Sequence, residues 1–511
     1  MGTSRHEEIE RKYEVDATTI LPTLADLDGV SAMGQPVERE LEAVYFDTAD
    51  LDLARRGTTL RRRTGGDDAG WHLKLPGDGE DTRSEIILPL GRATKTVPAR
   101  LLEPVRALVR DRRLTPVARV STRRREHALV TADADVLAQM CDDEVHAERL
   151  HGAVEVQEWR EWEVELVDGT RPLLDAVEER LLAAGASPAA ARSKLIRTLA
   201  DAVPPAPKTP SRKGLSNGSA AQLVFAHLAT QTEELHRQDA RLRADLPGSV
   251  HKMRIAARRL RSALATYRPL LAPGSADTVG DELRWLGQAL SNARDAQVMR
   301  ERLLELVASE PSELVLGPVS TRIDDDLSTA YRTGREQALE ALGTKRYFRL
   351  LDALDDLVQS APVADAAAAP ALDMLPRLLQ RDAKRLRRAV REVARTDDGQ
   401  SRDLALHEAR KKAKRLRYAA ESAVPVLGSR ATTLAASAKN VQEALGQHQD
   451  AVVARQKLRE YGAQTHDGVE NGFTFGRLHA LEQSRADEAE RRFEAAWQDL
   501  PHRKLRRWFK S

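Results

Sequence analysis

The chain has 511 residues, of which 41% are hydrophobic and 31% charged, a composition typical of globular proteins that build apolar cores. This length exceeds what one core normally organises, so about two to four domains are expected. The 80 basic residues almost balance the 78 acidic ones, and the distribution of charge along the chain is therefore more informative than its total.

Two features exclude broad classes of protein. Cys141 is the single cysteine, which excludes an internal disulfide and suits a reducing compartment. The first residues lack the apolar segment of a signal peptide, and no uninterrupted apolar run approaches the roughly 20 residues that cross a bilayer. We therefore expect a cytoplasmic protein without a membrane partner.

The character of the chain changes near residue 201. Residues 1–200 contain segments, such as Glu8–Val15, in which charged and apolar residues alternate with the period of two that is typical of strands. A Pro-, Ser- and Gly-rich linker is predicted at 201–218. Residues 219–505 are rich in Ala, Leu and Arg and predict long helices. A second linker from Ala361 to Pro370 divides them into halves of about 219–360 and 371–505.

Charged side chains form rows on the predicted strands. Every second residue of a strand lies on the same face, so Glu8, Glu10 and Lys12 share a face. Four further rows follow the same rule: Glu161, Glu163 and Glu165; Arg61 and Arg63; His72 and Lys74; and Arg119, Ser121 and Arg123. A solvated strand face explains one such row. Several rows within one domain favour a shared interior.

The two kinds of row have complementary chemistry. Neighbouring glutamates repel each other unless a cation compensates them, and Mg²⁺ or Mn²⁺ binds carboxylate, water and phosphate oxygens. Arginine pairs with phosphate oxygens in a bidentate manner. A closed β-barrel would place both kinds of row inside, and such an interior is tolerable only where it holds a polyanion. No Walker-type phosphate loop and no Ser/His/Asp nucleophile arrangement is visible.

Short motifs occur along residues 1–200 in a recognisable order: Glu8-Ile-Glu-Arg-Lys12, Tyr45-Phe-Asp-Thr48, Leu60-Arg-Arg-Arg63, Trp71-His-Leu-Lys-Leu-Pro76, Glu85, Trp162-Glu-Val-Glu-Leu166 and Ser193-Lys-Leu195. This ordered set resembles the CYTH family, also called triphosphate tunnel metalloenzymes. The resemblance implies an eight-stranded antiparallel β-barrel tunnel that binds substrates containing a triphosphate, with Mg²⁺ or Mn²⁺ as cofactor.

The resemblance also implies roles for individual residues. Metal ligands would be Glu8, Glu10, Glu163 and Glu165. Phosphate contacts would be Lys12, Arg61, Arg63, Lys74, Arg119, Arg123 and Lys194. The catalytic set would be Glu8, Glu10, Lys12, Glu85 and Lys194, with Glu85 holding a basic residue in place or helping to position water. Ser121 and Glu144 depart from the family pattern, which has basic residues there, and they bear on how tightly the far end of the tunnel holds phosphate.

The helical region contains an internal repeat. Val250–Arg261 is similar to Leu406–Arg417, and Gln288–Ala296 is similar to Glu443–Ala451. The offsets are 156 residues, from His251 to His407, and 155 residues, from Asp295 to Asp450. Two matches at nearly the same offset predict a duplicated unit of a few helices.

Each copy carries a basic row with helical spacing. At 3.6 residues per turn, two sets of positions each share a helix face: His251, Arg254, Arg258 and Arg261, and His407, Arg410, Lys414 and Arg417. A solvated face explains most basic rows, but it does not explain a histidine at the same place in both copies. Zinc binding is disfavoured because neither histidine has a second ligand at zinc-like spacing. The rows therefore predict an anion-binding surface.

This repeat resembles the CHAD domain, a conserved-histidine α-helical domain that often follows CYTH. The resemblance implies two duplicated four-helix bundles around a basic pore that binds long-chain inorganic polyphosphate, with possible association with polyphosphate granules. Polyphosphate contacts would be His251, Arg254, Arg258, Arg261, Arg294, His407, Arg410, Lys411, Lys414, Arg417 and His448. The basic segment Arg503–Lys510 is interpreted as closing the last helix.

The sequence thus predicts a multidomain α+β protein with a barrel at 1–200 and a helical domain at 219–505. The leading hypothesis is metal-dependent hydrolysis of inorganic triphosphate (tripolyphosphate) in the barrel, with polyphosphate bound by the helical domain. Alternatives keep the barrel but use thiamine triphosphate, a nucleoside triphosphate or cyclisation of ATP, or make the protein a non-catalytic polyphosphate scaffold. Nucleic-acid binding is disfavoured because only 4% of residues are aromatic and few could stack on bases.

Overall fold

A computed structural model describes most of the chain, namely residues 4–77, 79, 81–91, 96–204, 214–215, 218–360, 363–397, 399–464 and 472–500. It divides into two compact units, residues 1–208 with 239–246 and residues 209–238 with 247–511. Most of the predicted linker 201–218 and all of the basic segment Arg503–Lys510 lie outside the described residues. The predicted domain boundaries therefore stay predictions.

The first unit is built on one antiparallel sheet. Its strands are β1 (Ser4–Val15), β2 (Ala32–Met33), β3 (Val37–Asp47), β4 (Thr59–Thr64), β5 (Gly70–Pro76), β6 (Thr82–Pro89), β7 (Thr115–Val130), β8 (Val136–Arg149), β9 (Glu155–Leu166) and β10 (Ser187–Pro188). The eight long strands follow the order β1-β6-β5-β4-β3-β7-β8-β9, and β9 pairs back onto β1. This closure confirms the predicted eight-stranded barrel. Short β2 and β10 pair with β7 and β1.

The barrel keeps its apolar side chains on the outside. Trp71 and Leu73 of β5 pack with α1 (Ala99–Val109), whereas Tyr13 and Trp162 pack with α2 (Arg171–Ala183). Burying these large side chains under helices supplies the hydrophobic stabilisation that a barrel normally gains from its interior. The alternate residues of the same strands are thereby left to face inward, and the interior is free to be charged.

The second unit is entirely helical within the described residues. Its helices are α4 (Ala220–Arg243, of which residues 239–243 are grouped with the first unit), α5 (Ser249–Tyr267), α6 (Asp277–Ala289), α7 (Ser291–Ala308), α8 (Val319–Leu342), α9 (Lys345–Ser360), α10 (Ala371–Val393), α11 (Gln400–Leu427), α12 (Ser429–Gln464) and α13 (Phe473–Gln498). The predicted all-helical architecture is confirmed.

The described helices of the two halves differ in number, six in the first and four in the second, where two bundles of four were expected. The sequence offset explains part of the difference, because α6 and α7 together correspond to the single helix α12. The helix is interrupted at Leu290, between α6 and α7. There the Ser291 hydroxyl donates a hydrogen bond to the Gln288 carbonyl oxygen at 2.7 Å. The counterpart of α9 would fall at about residue 500 onward, where description of the chain ends.

Candidate functional site

The barrel encloses a charged cavity of about 370 Å³. Its basic lining residues are Lys12, Arg39, Arg61, Arg63, Lys74, Arg124 and Lys194, and its acidic ones are Glu8, Glu10, Asp67, Asp68, Glu85, Glu126, Glu163 and Glu165. Seven basic against eight acidic groups give a formal charge of −1. The cavity alone therefore cannot neutralise a triphosphate, and a highly charged anion would need added cations to enter it.

The structure brings most of the predicted barrel residues together in this cavity. Ten of them line it: Glu8, Glu10, Lys12, Arg61, Arg63, Lys74, Glu85, Glu163, Glu165 and Lys194. They come from β1, β4, β5, β6, β9 and the start of α3 (Lys194–Leu199). The strand registers explain the convergence, since closure of the barrel sets Glu10 opposite Glu165 and Lys12 opposite Glu163.

The prediction for β7 was wrong by one residue. The side chains of Arg119 and Arg123 are 53% and 57% exposed and form ion pairs on the outside, with Glu148 at 2.9 Å and Glu40 at 3.2 Å. Arg124 points inward instead and is only 15% exposed. Three arginines in succession, residues 123–125, hide the alternation, so the composition did not reveal which of them faces the lumen.

The two departures from the family pattern belong to this same outer face. Ser121 lies opposite Glu42 and His146 on the neighbouring strands. Glu144 pairs outside the barrel with Arg125 at 3.1 Å and with Arg123 at 3.6 Å. Neither residue lines the cavity. They therefore do not bear on how the interior holds phosphate.

Glu8, Glu10 and Glu165 form an acidic group on β1 and β9. Burial raises the pKa of Glu8 to about 7 in spite of Lys74, whose ammonium lies 2.5 Å away, and Glu85 adds to the shift. Burial also raises the pKa of Glu165. Burial acts on Glu10 too, but Lys12 and Lys74 outweigh it and lower that pKa to about 2. Carboxylates that are costly to ionise together fit a divalent cation, which would relieve their repulsion.

A second acidic group surrounds an ammonium. Asp143, Glu161 and Glu163 are buried, and their oxygens lie within 4.8 Å of one another, a geometry that could hold a metal ion. Lys194 already contacts all three carboxylates, at 2.8, 2.7 and 2.6 Å. The lysine therefore supplies the positive charge here, and a metal ion at this place would have to displace it.

Glu163 joins the two groups. It accepts from Lys12 at 2.5 Å, from Lys194 at 2.6 Å and from Arg124 at 2.7 Å. Burial opposes ionisation of Glu163, but these three cations outweigh it and hold its pKa well below the usual range. Glu163 thus favours its ionised form, and its oxygens are engaged by three cations, which makes it a weaker candidate for direct metal ligation than Glu8 or Glu165.

Local sequence explains how Lys194 enters the barrel. Ser193 caps α3 by accepting a hydrogen bond from the Ile196 amide at 3.2 Å, as expected for serine at this position. Leu195 packs into the apolar cluster that includes Val117 and Val145. With its neighbours on both sides fixed, the first helical residue projects into the lumen.

Glu85 is held by a buried histidine. The Nδ1 atom of His72 lies 2.9 Å from the Glu85 carboxylate, and its Nε2 atom lies 2.9 Å from the Asp68 carbonyl oxygen. Burial lowers the pKa of His72 to about 4, and the nearby Arg61 contributes. Lys74 lies 3.9 Å from Glu85. This arrangement suits the expected role of Glu85 in orienting a basic residue.

Sequence reasoning missed several charged residues of the interior, including Asp67, Asp68 and Glu126 of the cavity lining. Arg124 was hidden in its arginine run. Asp143 was hidden in the same way by the three successive acids at 142–144. Arg39 lines the cavity from β3 and pairs with Asp67, the shorter contact being 2.5 Å. Arg39 and Leu41 are two residues apart on β3, so they share a strand face, and both line the cavity. This spacing was a usable signal, but a charged and an apolar residue are normally expected on opposite faces.

In the helical unit, the two repeats use the same ion pair. Arg254 donates to Asp295 at 2.8 Å, and Arg410 lies 3.5 Å from Asp450. These four residues are the matched positions of the two sequence motifs. The duplication predicted from the sequence therefore extends to side-chain contacts.

Basic side chains of both repeats converge on one cluster. Arg258 and Lys414 lie near Arg254 and Arg410, and each disfavours the charge of the others. Burial, together with these arginines, lowers the pKa of Lys414 to about 7. We call Arg254, Arg258, Arg410 and Lys414 the basic cluster. Such accumulated positive charge is unfavourable in the free protein and predicts an anionic ligand.

The histidines flank this cluster as neutral groups. Burial and the neighbouring Arg294 lower the pKa of His251, and burial with Lys411 lowers that of His407. His407 also lies 2.8 Å from the side-chain oxygen of Gln449. Because both pKa values fall below the ordinary one, the histidines do not account for charge near neutral pH.

Besides the two histidines, five predicted polyphosphate contacts lie outside the basic cluster. One of them, Arg294, donates to the Gln297 side-chain oxygen at 3.0 Å. His448 is buried, 3.5 Å from Asp403, because it takes the core position that Ala293 occupies in the first repeat. Arg417 is paired with Glu421 at 2.6 Å, and Lys411 with Glu408 at 2.6 Å. Arg261 is exposed and adjoins Arg284. Helical spacing placed these residues in the prediction, but His448 is buried and Lys411 and Arg417 are neutralised by acidic partners, which leaves Arg261 and Arg294.

Comparisons with known proteins identify both units. The sequence profile of the CYTH domain matches residues 6–196, and that of the CHAD domain matches residues 226–459. The Mycobacterium tuberculosis proteins MT2285 (strain CDC 1551 / Oshkosh) and Rv2226 (strain ATCC 25618 / H37Rv) are each 40% identical over 516 residues, covering 97% of both chains.

Solved structures also resemble this chain at low identity. PptA from Streptomyces chartreusis is 24% identical, with a TM-score of 0.47, and covers 55% of this chain and 100% of its own. The CHAD domain from the plant Ricinus communis is 24% identical, with a TM-score of 0.45, over 56% of this chain and 93% of its own.

In the described parts of this chain, none of the helices combines the length and apolarity needed to cross a bilayer.

CYTH domains act on triphosphates in a metal-dependent manner, and CHAD domains are associated with polyphosphate. The barrel with its charged interior, the duplicated helical unit and full-length similarity to the mycobacterial relatives agree. The chain belongs to the CYTH–CHAD protein family.

Proposed function

We propose that the barrel hydrolyses inorganic triphosphate and that the helical unit binds long-chain polyphosphate in the cytoplasm. The observation that carries the first part is the barrel cavity of about 370 Å³, in which 15 of the 25 lining residues are charged. A linear chain of phosphates would find ionic partners along such a cavity. An organic group would find few apolar surfaces there, since Leu41, Ala43, Ile87 and Val120 are its main aliphatic side chains.

Glu8, Glu10 and Glu165 are the proposed metal ligands, with Glu163 at the edge of the group. Their oxygens match the preference of Mg²⁺ and Mn²⁺, and the raised pKa values of Glu8 and Glu165 indicate a need for positive charge. When bound, the ion would polarise phosphoryl oxygens and supply an activated water. The formal charge of the cavity supports this requirement, because the protein alone offers no excess of cations.

The basic side chains would position the substrate. Lys12, Arg61, Lys74, Arg124 and Lys194 are proposed to neutralise phosphate oxygens and hold the chain in line for attack. Burial and the neighbouring Arg61 and Arg124 lower the pKa of Arg63 to about 9, so these guanidinium groups repel one another in the free protein even though Arg63 contacts Asp68. A bound phosphate would relieve that repulsion, which favours anion binding at this place.

The helical unit is proposed to bind polyphosphate at the basic cluster. The cluster is poor in aromatic side chains, although Tyr418 lies beside Arg259 and Arg417 with its ring 5.6 and 5.8 Å from their guanidinium carbons. High charge density with little base-stacking surface favours a phosphate polymer over single-stranded nucleic acid.

Reversing charge in the basic cluster tests this proposal. We expect the double variant Arg258→Glu/Lys414→Glu to weaken polyphosphate binding by more than about 100-fold, since each reversal places a carboxylate against phosphate. The matched control is Lys439→Glu/Arg491→Glu, at exposed residues paired with Glu443 and Glu488, which should lose far less. Titrations compete labelled polyphosphate with unlabelled polyphosphate or single-stranded DNA. Equal displacement by the two polymers would contradict the polyphosphate assignment.

Binding should also depend on pH through Lys414. Its pKa of about 7 in the free protein should rise when phosphate is bound, because phosphate favours the ammonium. Affinity is then greatest below pH 7 and falls as pH rises through that value, by up to about tenfold per pH unit. Lys414→Arg, which stays charged, should abolish the dependence in this range. Unchanged pH dependence in that variant would assign the effect to another group.

A further inference from the structure

A second basic surface lies on α10, apart from the motifs of the repeat. That helix carries seven basic and three acidic residues, whereas α4, the first helix of the other half, carries three of each. We call five of its side chains the α10 stripe: Arg377, Lys384, Arg388, Arg391 and, just past the helix end, Arg395. At 100° per residue the four helical members fall within an arc of about 60°, and they extend along about 21 Å.

The stripe consists of exposed cations without acidic partners. All five side chains are exposed, and among the described residues none of them has a carboxylate within ion-pair distance. Asp382 is buried and faces the neighbouring helices. It forms ion pairs with Arg385 at 2.7 Å and with Arg415 at 3.1 Å. Asp373 and Glu392 flank the stripe without pairing to it.

Several exposed basic residues elsewhere in the unit have acidic partners instead. Arg491 and Arg492 both pair with Glu488, and Lys439 pairs with Glu443 one turn away. Pairs of this kind are what a solvated helix face ordinarily contains. A straight row of unpaired cations, four arginines among the five, is instead suited to the oxygens of a linear phosphate polymer.

The helix that carries the stripe packs against the two helices that carry the basic cluster. Arg381, on the same helix, donates to the Thr266 carbonyl at the end of α5 at 2.5 Å. Arg415 contacts both Asp382 of α10 and the Ala265 carbonyl of α5. Its neighbour on α11 is Lys414, a member of the basic cluster. Because packed helix axes lie about 8–10 Å apart, a flexible polymer leaving the cluster could reach the stripe.

We propose that the α10 stripe is a second, chain-length-selective site for long polyphosphate, engaged by the same polymer that the basic cluster holds. This inference rests on the proposed binding of polyphosphate by the helical unit. A short oligophosphate would fill the cluster alone. A long chain would add contacts at the stripe intramolecularly, and its affinity would rise through effective concentration.

The test is a titration of the full chain with a short oligophosphate and with long-chain polyphosphate at several salt concentrations. The stripe variant is Arg377→Gln/Lys384→Gln/Arg388→Gln/Arg391→Gln. Its matched control, Arg268→Gln/Lys439→Gln/Arg491→Gln/Arg492→Gln, removes the same charge from residues that are already paired. Thermal melting of both variants checks that the fold is retained, as expected for exposed positions.

The stripe variant should bind the short ligand like the wild type but lose most of the affinity gained with chain length. Its salt slope for the long chain should fall by about 0.7 for each lost contact, up to about 3 in total. An intact length dependence in the stripe variant would overturn the inference. Greater loss of single-stranded DNA binding than of polyphosphate binding would overturn it in favour of nucleic acid. Failure of the wild type to bind either phosphate ligand would instead refute the proposed function.

Discussion

Replacing Glu10 with glutamine should reduce metal-dependent phosphate release by about 10³-fold or more. Metal charge stabilisation is worth several kcal/mol, and each 1.4 kcal/mol is a factor of ten in rate. Glu10 lies in the proposed metal group and also holds Lys12 at 2.8 Å, so the variant should lose both metal affinity and the orientation of one phosphate contact.

The control for this change lies on the same strand. Glu7→Gln makes the same substitution at an exposed residue outside the cavity, and it should keep activity within about threefold, as surface substitutions usually do. Phosphate release is measured across a Mn²⁺ titration, with metal binding followed separately by calorimetry. Near wild-type release from Glu10→Gln and from Glu163→Gln would show that the tunnel assignment is wrong.

Arg124→Gln should lower kcat/KM by about 100-fold, the loss typical of removing one group that stabilises developing charge. Arg123→Gln, one residue away on the outer face, should change it by less than about threefold. The pair therefore tests which face of β7 serves the reaction. The outcome that would contradict the structure is a larger loss at Arg123 than at Arg124.

A second variant separates catalysis from stability at Arg124. Its guanidinium pairs with buried Asp143 and with Glu163, both at 2.7 Å, so its removal also leaves carboxylates unpaired. Arg124→Lys keeps the charge and should recover part of the activity and of the thermal stability. If the glutamine variant melts like the wild type and hydrolyses normally, Arg124 has no part in binding phosphate.

The sequence predicted the barrel and most of its interior because strict alternation is informative where it is unbroken. Glu8, Glu10 and Lys12, with apolar or outward residues between them, were placed correctly on the lumen face. In β7 and β8, runs of three like charges at 123–125 and 142–144 cancel the alternation. The inward members, Arg124 and Asp143, are set by the register with neighbouring strands, which is a tertiary property.

A comparable limit applies to the helical unit. Spacing alone placed Arg258 and Lys414 on faces that do converge, since each repeat presents its row to the other. The same spacing cannot show which cations acquire acidic neighbours, and Arg417 and Lys411 are paired for that reason. Nor can the spacing show burial. Burial lowers the pKa values of His251 and His407, and it lowers that of Lys414 to about 7, so Lys414 is the group expected to change charge near neutral pH.

Phosphate release from a panel of triphosphates tests the central claim most directly. The full chain is incubated with tripolyphosphate, thiamine triphosphate and ATP, each without metal, with Mg²⁺ and with Mn²⁺, and cyclic AMP is measured in the ATP reactions. The proposed function predicts metal-dependent release that is fastest, by kcat/KM, from tripolyphosphate. Faster turnover of ATP or thiamine triphosphate, formation of cyclic AMP, or no metal-dependent release from any substrate would contradict it.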